Sequence, residues 1–343
     1  MKIGILTLYK SLNFGAYLQA FAMCKKLSSL SGAEVSMINP NTYTLKDWIK
    51  LIRSHYPYIM KNRIDMIMRF RKPWKFFKVS GVDDRYDVVV IGSDELWNVT
   101  NRDFEQNGYL YGEGINCDNI ISYAVSARNT TPEEFLKCHD ASIFDNMKSI
   151  AVRDRSTFDL VKTLTGKEPV MTLDPTFLID FNEYISDIKV KEKDYILIYR
   201  YSVTLFTEEE KEQIRTYAKE NGLKIISVGF KHPWCDKHIN CTPLEFVAYV
   251  KNAHCVITST FHGTVFSILM NTDFCVLERN NKVSNKIVDL LDKFDLSDRR
   301  CVCSERNISD ILKNKIDFSK VNKIKHELCD NSVAYLNESI MNS

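Results

Sequence analysis

Short, unbroken apolar runs recur along this chain and restrict its fold more than any other feature. Segments 2–8, 86–91, 119–125, 149–152 and 169–173 form one series, and 194–199, 223–228, 255–258 and 274–277 form a second. A strand with one wet face alternates apolar and polar residues, whereas a strand covered on both faces need not. Runs such as Val88-Val-Val-Ile91 therefore predict parallel strands enclosed between helices.

Helical periodicity fills the intervals. Leu18, Phe21, Ala22 and Leu27 share one side of a helix expected over 15–30. The helix expected over 207–221 carries its own start signal, a capping box of Thr207 with Glu210, and ends at Asn221-Gly222. Further helices are expected over 242–252 and from His262 onward. This alternation predicts an α/β protein of two Rossmann-like, doubly wound domains facing a central cleft, a GT-B-like arrangement. The length of 343 residues agrees, because it exceeds what one core usually serves. The expected domains are 1–180 and 194–310, joined by the polar stretch 179–193. A helical tail, 311–343, follows and is able to pack back on the first domain.

Charge and cysteine usage exclude several classes of function. Forty-six Lys and Arg against forty-four Asp and Glu leave a net charge of +2, which argues against a nucleic-acid partner held through its phosphates. Ten cysteines are scattered behind a start, MKIGILTLY, that lacks the pattern of a secretory signal, so reduced thiols and a cytoplasmic setting are expected. Cys301-Val-Cys303 is too closely spaced for a zinc knuckle. His232, Cys235, His238 and Cys241 form the one cluster of metal-like composition, and a polar loop accounts for it better; no metal is expected. No run reaches the 18 or so apolar residues of a bilayer span. Segment 45–80 departs from the rest: ten Lys and Arg meet only Asp47 and Asp65, with Trp48, Phe70 and Trp74 among the interleaved rings. Peripheral contact with an anionic membrane surface and an ordinary helical insertion both fit it.

In doubly wound folds ligands lie beyond the carboxyl ends of the strands, and polar residues gather there in this sequence. After the run ending at Ile257 come Thr258, Ser259, Thr260, His262, Gly263 and Thr264. Unpaired amides at a helix start, with hydroxyls nearby, bind anions, and His262 could face the anion as a cation or a proton donor. A plain N-cap with a satisfied histidine fits the same residues. In the first half, Gly92-Ser93-Asp94-Glu95-Leu-Trp97 brings two carboxylates to a strand end. Asp94 could take a proton from a sugar hydroxyl, and Trp97 could offer a sugar a flat face or sit in the core. Asn13 and Gln19 open the first helix. Arg128, Arg153, Arg200 and Lys231 follow strands, as cations suited to a small ligand with both carboxylate and phosphate. Neither GxGxxG nor GxxxxGK[ST] occurs, which disfavours ordinary dinucleotide or triphosphate binding.

Asn13-Phe-Gly-Ala-Tyr-Leu-Gln19, Asp87-Val-Val-Val-Ile-Gly-Ser-Asp-Glu-Leu-Trp-Asn98, Ser122-Tyr-Ala-Val-Ser126, Val152-Arg153, Leu173-Asp-Pro-Thr176 and Ile257-Thr-Ser-Thr-Phe-His-Gly-Thr-Val-Phe266 occur in this order. As a set they resemble the polysaccharide pyruvyl transferase family over about residues 1–280. The resemblance implies a GT-B-like fold, phosphoenolpyruvate as donor substrate with no cofactor, and transfer of pyruvate as a ketal onto a sugar of a surface polysaccharide or its precursor, lipid-linked or free. On that reading His262, Asp94 and Arg153 are catalytic. Ser259, Thr260, Gly263, Thr264, Arg128, Arg200, Lys231, Asn13, Gln19, Ser93, Glu95 and Trp97 then hold substrates. The rival readings are a glycosyltransferase using a nucleotide sugar and a non-catalytic module that binds a phosphorylated metabolite.

Overall fold

The computed structural model describes residues 1–39, 57–101, 107–201, 206–278, 285–302 and 305–341. The first half runs β1 (Lys2–Leu6), α1 (Phe14–Ser31), β2 (Glu34–Ile38), α2 (Pro57–Trp74), β3 (Val79–Ser80), β4 (Val88–Ile91), β5 (Ile120–Ser122), β6 (Ala151–Val152), α3 (Arg155–Thr165) and β7 (Val170–Met171). Its strands pair in parallel in the order β3-β2-β1-β4-β5. The bridges Ile121 to Ser149 and Val125 to Val152 carry the sheet on to the β6-β7 pair. The reversal of strand order on either side of β1 is the doubly wound signature, and it opens a crevice at the carboxyl ends of β1 and β4.

The second half runs β8 (Tyr195–Tyr199), α4 (Glu208–Glu220), β9 (Lys224–Val228), β10 (Lys237–Ile239), α5 (Pro243–Lys251), β11 (Cys255–Thr258), α6 (Phe261–Leu269), β12 (Phe274–Leu277), α7 (Asn285–Lys293) and β13 (Arg300–Cys301). Its order is β10-β9-β8-β11-β12-β13, again parallel throughout. Every residue of β4, β8, β11 and β12 is buried, the physical counterpart of their unbroken apolar runs. The capping box Thr207–Glu210 opens α4, and a second, Thr242–Glu245, opens α5.

After the short helix Ile308–Lys313, the long helix α8 (Phe318–Met341) returns to the first half. There the Tyr335 hydroxyl donates to the Ser122 carbonyl at 2.9 Å, Asn119 Nδ2 donates to the Ser339 carbonyl at 3.0 Å, and the Leu173 amide donates to Ser332 Oγ at 3.0 Å.

Aromatic packing joins the two halves at the start of α1. Phe14 stacks on Phe70 of α2 at 5.6 Å, on Phe246 of α5 at 4.7 Å and on Tyr199 of β8 at 5.9 Å. Gly229 is essential to this packing: its φ is +70°, and a Cβ there would stand 2.5 Å from the Phe14 ring. Beside it, Asn62 Nδ2 donates to the Gly229 carbonyl at 2.6 Å and Asn62 Oδ1 meets His238 Nε2 at 2.6 Å.

Gly92–Asn98, directly after β4, is an irregular turn. Strands β2, β3, β10 and β13 were not expected, since they are short or have exposed ends that break the apolar run. In segment 45–80, residues 45–56 lie outside the described residues and 57–74 form α2. Replacing Phe14 with alanine empties the ring position shared by both halves. Denaturant titration should show a loss of about 3–5 kcal/mol, with less than half of that for Phe14→Leu.

Candidate active site

The carboxyl ends of β1, β4, β6 and β7 converge on one buried guanidinium. Arg153, directly after β6, has a side chain only 1% exposed. Its Nη1 donates to Asp174 Oδ2 at 2.9 Å and to Ser93 Oγ at 3.2 Å, and its Nη2 reaches Asp94 Oδ1 at 3.4 Å. Ser93 Oγ also donates to Asp174 Oδ2 at 3.1 Å. Local backbone sets these positions. Gly92 holds φ +118° with the Tyr123 carbonyl 2.2 Å from where a Cβ would lie, so only glycine makes the turn that delivers Ser93 and Asp94. Behind them Thr7 Oγ1 donates to the Ser93 carbonyl at 2.8 Å, and Gln19 Nε2 donates to Thr7 Oγ1 at 2.9 Å.

The second half supplies the start of α6. Thr260 caps it, accepting from the Gly263 amide at 3.0 Å, and Thr258 Oγ1 donates to the Tyr199 carbonyl at 2.6 Å. His262 then points across the domain boundary. Its Nε2 lies 3.6 Å from Asp174 Oδ2, within ion-pair reach but too long for a hydrogen bond, and this buried nitrogen has no hydrogen-bond partner among the described residues. Gly15 makes the approach possible, because a Cβ there would fall 2.0 Å from His262 Nδ1. Phe261 covers the Arg153 guanidinium, 4.5 Å from its ring centre. Helix α7 closes the side: Lys286 pairs with Glu95, Lys293 Nζ donates to the Arg153 carbonyl at 2.9 Å, and Asp289 accepts from the Arg155 amide at 2.7 Å.

Charge is distributed unevenly over this cluster. Burial would raise the Asp174 carboxyl, but His262 and Arg153 hold it well below the usual carboxylate range. Burial likewise works against Glu95, yet Lys286, with Arg153 and Arg128 beyond it, brings it down to about 2. Asp174 is fully enclosed, whereas the Asp94 side chain keeps 15% exposure. Of the two carboxylates, Asp94 alone reaches solvent.

Several sequence-predicted residues hold other positions. Arg200 is enclosed, paired with Glu210 at 3.0 Å and lying over the Phe206 ring, so it offers the ligand no clamp. Arg153 is a positioning group for two carboxylates and is likewise unable to grip a donor. Trp97 is buried, donates to the Leu110 carbonyl at 2.8 Å and stacks on Tyr111 at 5.6 Å, which makes it core and withdraws it as a sugar platform. Thr264 Oγ1 donates to the Thr260 carbonyl within the helix, and the Gly263 amide is taken by the cap. The amides of Phe261 and His262 have no such use among the described residues. Ser259 is partly exposed at the turn, and Lys231 is partly exposed after β9. Asn13 Oδ1 caps α1 and its Nδ2 donates to the Tyr201 hydroxyl at 3.3 Å. Arg128, in a left-handed conformation with φ 58°, is exposed close enough to Glu95 for its charge to be felt there.

Asp174, Gly15, Lys286 and Lys293 were not among the predicted site residues. Asp174 carried a signal, a carboxylate directly after a strand and before a proline, like Asp94 after β4. The others become visible only once the two halves meet. The metal-like cluster is spent on structure: His232 Nε2 meets the Arg200 carbonyl at 2.8 Å, and burial lowers its pKa to about 4. Among the described residues no group of three or more His, Cys, Asp or Glu is placed to hold a metal, and no helix is long and apolar enough to cross a membrane.

Comparison with protein families matches residues 13–281 to polysaccharide pyruvyl transferase. The chain belongs to that family. Membership makes this pyruvyl transferase homologue a transferase acting on polysaccharide. No match is found among curated proteins. Among solved structures, a UDP-GlcNAc 2-epimerase from Neisseria meningitidis bound to UDP-GlcNAc is similar with a TM-score of 0.56 and 9% identity, covering 100% of both chains. Arabidopsis thaliana UGT89C1 complexed with UDP follows at a TM-score of 0.52 and 11% identity, covering 99% of both. The glycotransferase of kitacinnamycin gives 0.51 and 11%, over 99% of this chain and 98% of its own. These likenesses establish a GT-B-like fold.

The Glu95 pair generates a pH prediction. Because the carboxyl falls from 4.5 to about 2 on folding, its ionised form stabilises the protein above pH 4.5, and that contribution is lost as pH drops toward 2. Lys286→Ala should therefore cost about 2 kcal/mol at neutral pH, with the gap to wild type narrowing as the pH falls. Denaturation at a series of pH values reads this directly, and a gap independent of pH would exclude the linkage.

Proposed function

We propose that this protein transfers pyruvate from phosphoenolpyruvate, as a ketal, onto two hydroxyls of a sugar in a polysaccharide or its precursor, releasing phosphate. One observation carries the reading: a buried imidazole nitrogen without a hydrogen bond, from one domain, faces a cluster of carboxylates from the other. A buried polar atom without a partner is costly in a resting protein and is expected where a ligand completes it.

In the proposed sequence a proton adds to the methylene carbon of the donor and one sugar hydroxyl attacks the adjacent carbon, giving up its proton. The second hydroxyl then forms the other C–O bond as the bond to phosphate breaks, and its proton leaves with the phosphate. The two hydroxyl protons thus account for the new methyl group and the released phosphate. His262 Nε2, Ser259 and the amides of Phe261 and His262 surround the phosphate, at the positive end of α6. His262 is also the group nearest to hand for proton transfer. Arg128 takes the donor carboxylate. Asp94 is the base toward the acceptor, while Arg153, Asp174 and Ser93 hold it in place.

The fold itself favours a second reading, a glycosyltransferase using a nucleotide sugar in the same cleft, since the structural relatives include proteins bound to UDP and UDP-GlcNAc. The test incubates the protein with phosphoenolpyruvate and a panel of lipid-linked and nucleotide-linked sugars. Mass spectrometry should find the added pyruvyl mass, with one phosphate released per product. His262→Ala and Asp94→Asn should each lower the rate by about 10²–10⁴-fold without unfolding the chain. Release of a nucleoside diphosphate from a sugar nucleotide, with phosphoenolpyruvate inert, would favour the glycosyltransferase. Thermal stabilisation by phosphoenolpyruvate without turnover would favour a binding module.

A further inference from the structure

We propose that the outward face of α2 docks this protein on an anionic lipid surface. The inward face is settled by packing: Ile59, Asn62, Met66 and Phe70 are buried. On the opposite side Met60, Ile64 and Met68, spaced i, i+4 and i+8, are exposed by 37%, 48% and 60%. At 1.5 Å per residue they form an apolar stripe about 12 Å long on a helix about 27 Å long. A helix face turned to solvent is ordinarily polar, and a continuous apolar stripe there marks a contact surface.

The flanking charge identifies what it contacts. Residues 57–78 contain seven Lys and Arg against one acid, Asp65. Lys61, Arg71 and Lys72 are exposed beside the stripe, and Lys75 follows immediately after the helix. The border is predominantly positive, with Asp65 its one acid, and such a border around apolar side chains complements a sheet of lipid phosphates over acyl chains. Burial of the apolar stripe and attraction of the cations to anionic headgroups add in such a contact. The docking proposal does not depend on the donor chemistry, because it involves no residue of the site.

Co-sedimentation of the full chain with vesicles tests it. The protein should pellet with phosphatidylcholine vesicles containing phosphatidylglycerol, remain in solution with phosphatidylcholine alone, and be released by high salt. Two triple variants, Met60→Ser/Ile64→Ser/Met68→Ser and Lys61→Gln/Arg71→Gln/Lys72→Gln, should each partition at least about tenfold less. Unchanged melting temperatures would verify that both are folded, as expected for exposed positions. Wild-type protein that stays in solution with anionic vesicles overturns the proposal. So does sedimentation of both variants equal to wild type.

Discussion

Much of the active-site arrangement depends on the Arg153 guanidinium being buried between two carboxylates. A charge with 1% exposure is tolerable only when paired and hydrogen-bonded. Asp174, Ser93 and Asp94 meet that condition and are fixed by it, the first after β7 and the other two in the turn after β4. One positive charge set against two negative ones leaves the first half with an excess of carboxylate facing the second. His262 arrives at this excess, and Lys286 neutralises Glu95 next to it. The two halves are therefore complementary in charge as well as in aromatic packing, and the arrangement leaves one imidazole nitrogen unsatisfied.

That complementarity also bears on how a substrate enters. His262 is enclosed between Gly15 and Asp174, while α7 is tied to the first half through Lys286, Lys293 and Asp289. Apolar packing backs these polar contacts: Phe294, just after α7, stacks on Phe177 of the first half at 5.4 Å. The Phe14 cluster beside the Gly229 contact and the Phe181–Phe266 contact at 5.1 Å are further apolar junctions between the halves.

The fold was largely legible because burial on both faces leaves an imprint in the sequence. Val88-Val-Val-Ile91, Tyr195–Tyr199 and Cys255–Thr258 read as buried strands because nothing in them must face water, and Thr207 with Glu210 announced its helix through local chemistry alone. Strand β2 escaped notice since Glu34 and Val35 are not fully buried. In the site, His262, Asp94, Ser93 and Arg153 were identifiable from their place after strands. The direction of a long side chain was not. Arg153 and Arg200 occupy the same kind of position, yet one turns to carboxylates at the cleft and the other to Glu210 at the start of α4. Trp97 likewise follows Asp94 by three residues but rotates into the core against Tyr111. Such choices are made by partners distant in sequence, and for Lys286 and Gly15 the partner belongs to the other domain.

Helix α2 links the two surfaces that matter most. Its inward residues Asn62 and Phe70 touch Gly229, His238 and Phe14, which join the halves, while Met60, Ile64 and Met68 face away. A rigid helix transmits position along its whole length, so a contact on the outer face is one side-chain layer from the domain junction. The helix that would rest on the surface is also the one that supports the start of α1, and with it the Gly15 backbone on which the His262 imidazole lies.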